Sequence, residues 1–290
     1  MTAALRCAGL GHRYGRRVWG LRDCDLDVSA GRVAALVGPN GSGKTTLMSM
    51  AAGLLPATTG AVEVAGGAPA RRLDRIGFVA QDAPLWPRLR VAEVLAVGRC
   101  MNRGFDSGMA ADRIRRLGIR PRARIGALSG GERAQVALTL VLAKKPDLFL
   151  LDEPMANLDP LARREFLGSM FGACTETGAT VLYSSHAVAE LERVCDYLIV
   201  LRAGRVGLAG DIDELRQRHR VLRGPDGWTD GGGWPVISQR SMAGQTTALV
   251  RRDDARITGP GLRDAAPTFD ELVLGYLDGA AGRLPEEALA

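Results

Sequence analysis

A nine-residue string near the start of the chain limits its fold more than any other feature. Residues 38–46 read Gly-Pro-Asn-Gly-Ser-Gly-Lys-Thr-Thr, and the run Arg-Val-Ala-Ala-Leu-Val stands directly before them. This run is typical of a buried parallel strand, and the glycines permit a tight turn from the strand into a helix. Backbone N–H groups in such a turn, together with the helix N-terminus, attract phosphate. The string therefore predicts an α/β fold with a nucleoside triphosphate site.

The side chains of this string have separate predicted parts in the site. Lys44, one of three lysines in the chain, is expected to reach the β- and γ-phosphates, and the Thr45 hydroxyl is expected to bind Mg²⁺. A glycine-rich turn with an exposed lysine is the alternative, and the other motifs of the chain weaken it. The predicted nucleotide contacts are Gly38, Pro39, Asn40, Gly41, Ser42, Gly43, Lys44, Thr45 and Thr46.

A second apolar run ends in two acidic residues. Residues 147–152 read Asp-Leu-Phe-Leu-Leu-Asp, and Glu153 and Pro154 follow. At the end of a strand beside the phosphate loop, Asp152 could hold Mg²⁺ through water, and Glu153 could polarise the attacking water as general base. Acidic turns at strand ends are common, so this pattern is weak when it is taken alone.

Two further polar residues follow predicted strands. His186 comes after residues 179–184 and is expected to contact the γ-phosphate, while Gln81 comes after residues 76–80 and could touch Mg²⁺ or the attacking water. Each residue, taken alone, is more simply explained as a surface or structural side chain. Their functional interpretation depends on their order along the chain relative to the other motifs.

These motifs, joined by Leu-Ser-Gly-Gly-Glu at 128–132 and Ala-Asn-Leu-Asp at 156–159, occur in a familiar order and spacing. Over about residues 4–215 the chain resembles the nucleotide-binding subunit of an ATP-binding cassette (ABC) transporter. The resemblance implies an ABC-type P-loop NTPase core in residues 1–215, with an antiparallel β subdomain and an inserted α-helical subdomain at about 82–145. Residues 216–290 are expected to form a small α+β extension.

The same resemblance implies a mechanism that needs two subunits. A helix N-terminus formed by Ser129, Gly130, Gly131 and Glu132 would cap the γ-phosphate of ATP held by a second copy or a homologous subunit. Asp159 would lie at the seam between the subunits, and Tyr14 would stack on adenine. Glu132 replaces the glutamine that is commonest in the family, and we expect this change to be tolerated. A surface tyrosine in a basic loop is the alternative for Tyr14.

The resemblance also implies a separate integral-membrane permease as partner. In the family, the region after Gln81 lines a groove for a short helix of the permease, and Leu85 and Trp86 could supply its apolar contact. Packing of these two side chains inside the helical subdomain is an equally good interpretation.

The C-terminal segment bears on the direction of transport. Residues 224–235 indicate a loop, 248–251 a short strand, and 267–277 a helix with Thr268 as cap and Glu271 three residues on. This order resembles the extension of drug- and antibiotic-type exporters, so export is predicted. An appendage that strengthens dimerisation is an equal alternative for the segment. An importer ATPase and a non-transport ABC ATPase remain alternative functions, although the 85 residues between Lys44 and Ser129 leave no room for a coiled coil or second cassette.

Composition adds constraints on location and partners. No stretch of about 18 uncharged apolar residues is present and no signal-peptide pattern begins the chain, so we expect a cytoplasmic protein held on the inner face of the membrane by its permease. Five scattered cysteines indicate reduced thiols and no metal site. The net charge of +6 is compatible with an anionic partner, but no concentrated basic stripe is visible and no nucleic acid partner is expected.

Overall fold

The computed structural model describes residues 3–81, 84–155, 158–185, 187–226, 228, 235–251 and 261–279. Its strands are β1 (Ala3–Tyr14), β2 (Val18–Ser29), β3 (Val33–Val37), β4 (Thr59–Val64), β5 (Ile76–Val79), β6 (Leu148–Asp152), β7 (Thr180–Ser184), β8 (Tyr197–Arg202), β9 (Arg205–Asp211), β10 (His219–Pro225), β11 (Val236–Met242), β12 (Gln245–Arg251) and β13 (Arg263–Ala265). Its α-helices are α1 (Lys44–Ala51), α2 (Val91–Met101), α3 (Ser107–Arg116), α4 (Gly130–Lys144), α5 (Pro160–Thr177), α6 (Val188–Glu192), α7 (Ile212–Arg218) and α8 (Phe269–Asp278).

A six-stranded sheet organises the part of the chain that carries the predicted site. Its order is β5-β6-β7-β3-β8-β9, and every neighbouring pair is parallel except β8 and β9. Strands β3, β6 and β7 are apolar along almost their whole length because both faces of the sheet are covered. Since parallel strands end at the same edge, the segments after β3, β6 and β7 lie together there. The predicted α/β fold of P-loop type is confirmed.

A separate three-stranded antiparallel sheet, β2-β1-β4, lies beside this core. The alternation of polar and apolar residues in β2 predicts such a half-buried strand, and the buried positions alternate accordingly. All five cysteines are free thiols, as the composition indicates. The boundaries at about residues 82, 145 and 215 stay predictions.

Helices α2, α3 and α4 follow the edge strand β5 along the chain and share a small apolar cluster around Val91, Ile114 and Val136. A buried cation joins α3 to α4. The Arg113 guanidinium donates from Nε to Oγ1 of Thr139 at 3.1 Å and from Nη2 to Oε1 of Gln135 at 2.5 Å. Burial lowers the pKa of Arg113 to about 10, which leaves it charged near neutral pH.

The C-terminal segment contains more strand than the sequence predicts. Four antiparallel strands in the order β11-β12-β10-β13 form a sheet, on which α8 packs. Of the expected loop at 224–235, Gly224 and Pro225 instead end β10, and residues 227 and 229–234 lie outside the described residues. The predicted helix is confirmed, with the Thr268 hydroxyl and the Glu271 carboxylate forming its capping box. No helix in the described residues is long and apolar enough to cross a bilayer.

A buried histidine links α7, β10 and α8. The Nδ1 atom of His219 lies 2.7 Å from the carbonyl oxygen of Leu215, so it donates there, and Nε2 accepts from the Tyr276 hydroxyl at 2.8 Å. Burial lowers the pKa of His219 below its ordinary value of 6.5. Burial also raises the pKa of Tyr276 to about 12, so this hydroxyl remains a donor.

We expect acid to destabilise the chain through His219. Because the folded-state pKa is lower than the unfolded one, the unfolded chain binds the proton more readily, and the contribution is complete above pH 6.5 and declines below it. The decline is at most about 1.4 kcal/mol per pH unit. Denaturant unfolding of wild type and His219→Gln from neutral to acidic pH measures it, and the variant should show a shallower pH dependence. Equal slopes in wild type and His219→Gln would contradict the assignment.

Candidate functional site

The glycine-rich loop runs from the end of β3 into the start of α1. Gly43 is the N-cap of α1, with a φ of 107°, and a Cβ at this position would lie 2.4 Å from the carbonyl oxygen of Gly20. Only glycine satisfies both the backbone angle and the space. The loop therefore turns tightly, and the N–H groups and positive dipole of the first turn of α1 lie beside it.

Lys44 lies inside this loop. Its side chain is 6% exposed, and Nζ donates to the carbonyl oxygens of Gly38 at 2.7 Å and Pro39 at 3.2 Å. Burial lowers the pKa of the Lys44 amine, while the negative charges of Glu153 and Asp152 raise it. The cation of the loop and the two carboxylates after β6 thus share one electrostatic environment.

Ser42 supplies a test of whether the loop suits a phosphate group. Its Oγ atom is buried and has no hydrogen-bond partner among the described residues, while its backbone N–H donates to the carbonyl oxygen of Pro39 at 3.1 Å. An unsatisfied buried hydroxyl costs about 1–3 kcal/mol. A phosphate oxygen would accept from this hydroxyl, so the residues present fit a triphosphate.

Tyr14 ends β1 near the start of α1. Its side chain is 46% exposed, its hydroxyl lies 3.1 Å from Oγ1 of Thr46, and its ring meets the His12 ring edge-on at a centroid distance of 4.6 Å. An exposed aromatic ring anchored to the loop helix is suited to stacking on a base. The adenine contact of Tyr14 stays a prediction.

The two acidic residues after β6 are connected by a serine that the sequence does not single out. The Ser184 hydroxyl, fully buried at the end of β7, donates to Oδ1 of Asp152 at 2.8 Å and accepts the backbone N–H of Glu153 at 3.0 Å. Asp152 is itself 3% exposed. Ser184 therefore fixes the carboxylate of Asp152 and the backbone of Glu153 relative to each other. Its only sequence signal is a polar residue ending a buried apolar strand.

Glu153 has a left-handed backbone, with a φ of 46°. Non-glycine residues rarely adopt this conformation, which costs about 1–3 kcal/mol and must be held by its surroundings. The backbone N–H of Glu153 is held by Ser184 through Oγ and, at 3.2 Å, through the carbonyl oxygen. The chain therefore turns at Glu153 and leaves the direction of β6.

We expect Ser184→Ala to lower turnover more than it lowers nucleotide affinity. The change leaves one oxygen of Asp152 and the N–H of Glu153 without their shared partner, at a cost of about 1–3 kcal/mol in unfolding free energy. Turnover should fall about tenfold because both acidic groups lose their orientation. Steady-state ATPase kinetics and thermal unfolding measure this, with Ser184→Thr as rescue. Ser185→Ala, which removes a neighbouring hydroxyl that accepts from the Ala187 N–H at 3.0 Å, is the control. Equal effects of the two alanine changes would contradict the prediction.

The string Ser-Gly-Gly-Glu opens α4. The Ser129 hydroxyl accepts from the backbone N–H of Glu132 at 3.2 Å, and the Glu132 carboxylate accepts from the backbone N–H of Ser129 at 2.8 Å. This reciprocal capping box occupies the Glu132 side chain in the structure of the turn, a task that glutamate and glutamine both perform. The negative charge also suits the first turn of a helix.

The start of α4 packs against the start of α5. A Cβ on Gly131 would contact the side chains of Leu158 and Ala162 at 3.7 and 3.8 Å. Asp159 is the N-cap of α5, and its Oδ1 accepts from the backbone N–H groups of Leu161 and Ala162, both at 2.9 Å. The residues predicted to meet a second subunit are therefore neighbours. In the described residues, no hydrogen bond or ion pair joins 129–132 to the loop at 38–46.

The remaining predicted residues are less well defined. Gln81 is exposed two residues after β5. His186, Ala156 and Asn157 lie outside the described residues, so their predicted parts in the site stay predictions.

A groove of about 1040 Å³ lies between β5, α2 and α4. Trp86 lines it and is 56% exposed, whereas Leu85 packs against the apolar cluster of α2, α3 and α4. Packing inside the helical subdomain is thus observed for Leu85, while a permease contact of Trp86 stays a prediction. The groove is also lined by apolar side chains that include Leu54, Leu73, Phe78, Val97 and Met101, and by the charged residues Asp74, Arg75, Arg103, Lys144, Lys145 and Asp147.

Comparison with known proteins gives a consistent family. A family profile described as "ABC transporter" matches residues 21–156. A second profile, described as an AAA domain and putative AbiEii toxin of a type IV toxin–antitoxin system, matches the shorter span 128–192.

Curated relatives extend the similarity over most of the chain. The molybdenum import ATP-binding protein ModC of Mesorhizobium japonicum is 39% identical over 78% of this chain, and the match spans 62% of ModC's own length. The aliphatic sulfonates import ATP-binding protein SsuB 2 of Xanthomonas axonopodis pv. citri is 38% identical over 70% of this chain and 69% of the relative. The Nod factor export ATP-binding protein I of Cupriavidus metallidurans is 36% identical over 74% and 73%.

Solved structures support the same fold. A structure described as the ATP-binding subunit of an ABC transporter is 28% identical to this chain, with a TM-score of 0.67 over 74% of this chain and 92% of its own. A dimeric ATP-binding cassette, MJ0796, bound to ADP and phosphate, is 22% identical with a TM-score of 0.65, which is a likeness of fold alone.

The relatives correct one expectation from the sequence. Most of the relatives found are named as ATP-binding proteins of import systems, for molybdenum, sulfonates, ferric ions or phosphonates. The expected drug- or antibiotic-exporter type is not supported by them. That expectation rested on the order of one strand and one helix after residue 215, and the C-terminal segment is instead a four-stranded sheet with a helix.

Proposed function

Because this chain belongs to the ATP-binding subunits of ABC transporters, which are ATPases, we propose that it hydrolyses ATP to drive a separate integral-membrane permease. The observation that carries this proposal is the position of Lys44 inside a phosphate-shaped loop, with Asp152 and Glu153 in its electrostatic environment. Phosphoryl transfer to water requires a cation that binds the phosphates and acidic groups that bind the metal and orient the attacking water.

Nucleotide binding uses the loop residues from Gly38 to Thr46. Lys44 and the buried Ser42 hydroxyl contact phosphate oxygens, and Tyr14 stacks on adenine. Thr45, Asp152 and Gln81 would hold Mg²⁺ through side-chain oxygen donors, a donor set that this hard cation prefers. When bound, the metal supplies neutralisation of phosphate charge.

Glu153 is the general base of the proposed reaction. Its carboxylate accepts a proton from the water that attacks the γ-phosphate, and Ser184 keeps the base in a fixed direction through the Glu153 backbone. His186 contacts the γ-phosphate. Lys44 remains bound to the phosphates while negative charge shifts toward the leaving group.

A second copy of the chain, or a homologous subunit, completes the site. The capped start of α4 at Ser129 binds the γ-phosphate held by the partner, with Gly130, Gly131 and Glu132 in the same turn. Gly131 packs against Leu158 and Ala162. This contact supports a coupled movement of the start of α4 and of Asp159, which lies at the seam between the two subunits. The absence of bonds between 129–132 and the loop, within the described residues, agrees with an arrangement in which these parts meet across two chains.

The permease binds at the groove lined by Trp86. A short apolar helix would cover the exposed ring of Trp86 and the side chains of Leu73 and Met101. The chain would thereby be held at the cytoplasmic face of the membrane. Co-purification from detergent-solubilised membranes with the membrane protein encoded next to this chain tests the proposal. Recovery of this chain alone, with ATPase activity intact, would contradict the permease partnership.

Import is the direction that the relatives favour, since most of those found carry import in their names. Export is the second candidate, favoured by the similarity to the Nod factor export protein over 230 residues. Inside-out membrane vesicles that contain the complex separate the two candidates. ATP-driven accumulation of a substrate inside such vesicles indicates export, and ATP-driven release of preloaded substrate indicates import.

A further inference from the structure

The positive charge of this chain is concentrated in one segment. Residues 84–124 contain ten arginines and three acidic residues (Glu93, Asp106 and Asp112), which gives a formal charge of +7, against +6 for the whole chain. The rest of the molecule is thus close to neutral. The composition alone suggests a uniformly basic surface, but the net positive charge is instead localised in residues 84–124.

Backbone pairing brings the arginines of this segment together. The N–H of Val91 donates to the carbonyl oxygen of Ala123 at 3.0 Å, and the N–H of Ile125 donates to that of Leu89 at 2.9 Å. Two further bonds, from Gly126 to Pro87 and from Ala92 to Pro121, both at 2.9 Å, fix the ends of the pairing. Residues 87–92 therefore run antiparallel to residues 121–126.

Arg90 and Arg124 are direct partners in this pairing. The bonds on either side of them make a non-hydrogen-bonded pair, in which opposing side chains lie closest. Val91 and Ile125 are fully buried, whereas Arg90 and Arg124 are exposed. Arg88 and Arg122 are exposed in the turns next to this pair. Each follows a proline, Pro87 or Pro121, whose carbonyl oxygen accepts one of the four backbone bonds named above. We name Arg88, Arg90, Arg122 and Arg124 the arginine patch.

The arginine patch is not balanced by ion pairs within the described residues. No ion pair joins any of its four side chains to a carboxylate there. The nearest acidic residue in the chain, Glu93, uses its carboxylate to accept the Arg90 backbone N–H at 2.7 Å. Like charges directly opposite each other on paired segments destabilise a fold. An anionic ligand removes this repulsion, and guanidinium groups match the geometry of phosphate oxygens.

We propose that the arginine patch binds the phosphate groups of anionic lipids at the membrane surface. The turn that leads into Arg88 begins at Trp86, whose carbonyl oxygen accepts from the Leu89 N–H at 3.2 Å, and Trp86 lines the groove proposed for the permease. A permease helix in that groove brings the adjacent surface to the bilayer, so the inference rests on the proposed function.

Vesicle co-sedimentation of the full chain tests the proposal. The probes are vesicles of phosphatidylcholine alone and vesicles of phosphatidylcholine and phosphatidylglycerol in equal parts. We expect binding to the anionic vesicles only, and binding should decline with rising sodium chloride. The variant Arg88→Gln/Arg90→Gln/Arg122→Gln/Arg124→Gln should bind at least about tenfold more weakly, since arginines near an anionic surface are attracted to its phosphate groups.

A charge-matched variant controls for net charge. It replaces Arg71, Arg164, Arg193 and Arg218, four exposed arginines elsewhere in the chain, with glutamine, and it should keep wild-type vesicle binding. Equal losses in the two quadruple variants would overturn the proposal, as would equal binding to neutral vesicles. If the patch variant does not fold, the two double variants, Arg88→Gln/Arg90→Gln and Arg122→Gln/Arg124→Gln, provide the same comparison.

Two competition arms identify the source of the phosphate. Inorganic phosphate or a random-sequence DNA duplex, at the phosphate concentration of the vesicles, should displace the chain only weakly. Full displacement by inorganic phosphate, or tight DNA binding that the patch variant loses while vesicles fail to bind, would overturn the membrane assignment. ATP affinity is measured on the same samples. If wild type did not bind ATP, the proposed function would fail. ATP binding without vesicle binding would reject the patch proposal alone.

Discussion

Lys44→Ala is expected to lower ATP affinity by about 10²-fold or more and to reduce hydrolysis below detection. The amine is buried in the loop, where it donates to the carbonyl oxygens of Gly38 and Pro39. A phosphate placed there would gain a charge-assisted bond in a partly desolvated site, and such bonds are about twice as strong as neutral ones. Alanine removes the only lysine of the loop and leaves the phosphate charge unpaired.

Binding of a fluorescent ATP analogue measures the change, and Lys144→Ala is the matched control. Lys144 is also partly buried and donates from Nζ to a backbone carbonyl, that of Ile76, at 2.7 Å. Burial lowers the pKa of this lysine as well. The control loses a comparable buried cation far from the loop, so its ATP affinity should remain that of wild type. Undiminished binding by Lys44→Ala would show that the phosphates lie elsewhere.

Glu153→Gln is expected to bind ATP and to lose about 10²–10⁴-fold in turnover, the usual contribution of a general base. Glutamine keeps the size of the side chain and the backbone N–H bond to Ser184, but it cannot accept a proton from water. Because ATP persists between the two chains, the closed dimer should accumulate. Size-exclusion chromatography with ATP and magnesium should show a shift from monomer to dimer.

Glu190→Gln is the control for this change. Glu190 forms an ion pair with Arg163 at 3.1 Å and lies in the same small cavity as Glu153, so its loss alters a nearby charge without removing the base. The control should keep turnover and elute as a monomer during steady hydrolysis. If Glu153→Gln remained monomeric with ATP bound, closure of two chains around nucleotide would be the wrong mechanism.

Local patterns predicted those features whose causes are local. The phosphate loop follows from the glycines and Lys44 within one short string. The start of α8 follows from Thr268 and Glu271, which lie three residues apart and bond to each other. In each case the sequence neighbours are also the spatial partners, so the pattern contains the whole physical argument.

Features that depend on distant residues escaped the sequence. Ser184 binds Asp152 across a pair of parallel strands, and nothing near Ser184 in the chain indicates that partner. Arg90 and Arg124 are 34 residues apart, so their pairing is invisible as a basic stripe. The C-terminal sheet was missed for the same reason, because strands such as Val236–Met242 are largely exposed and polar and are defined by the strands they pair with.

At the left-handed turn of Glu153, selection for stability and selection for catalysis favour different residues. Glycine or asparagine would relax that backbone and raise the free energy of unfolding by about 1 kcal/mol, the lower end of the cost of a strained residue. A laboratory evolution campaign that rewards heat tolerance alone should therefore drift toward those residues at this position and lose the proton acceptor. Libraries built from this chain need a catalytic screen at every round, or position 153 held fixed.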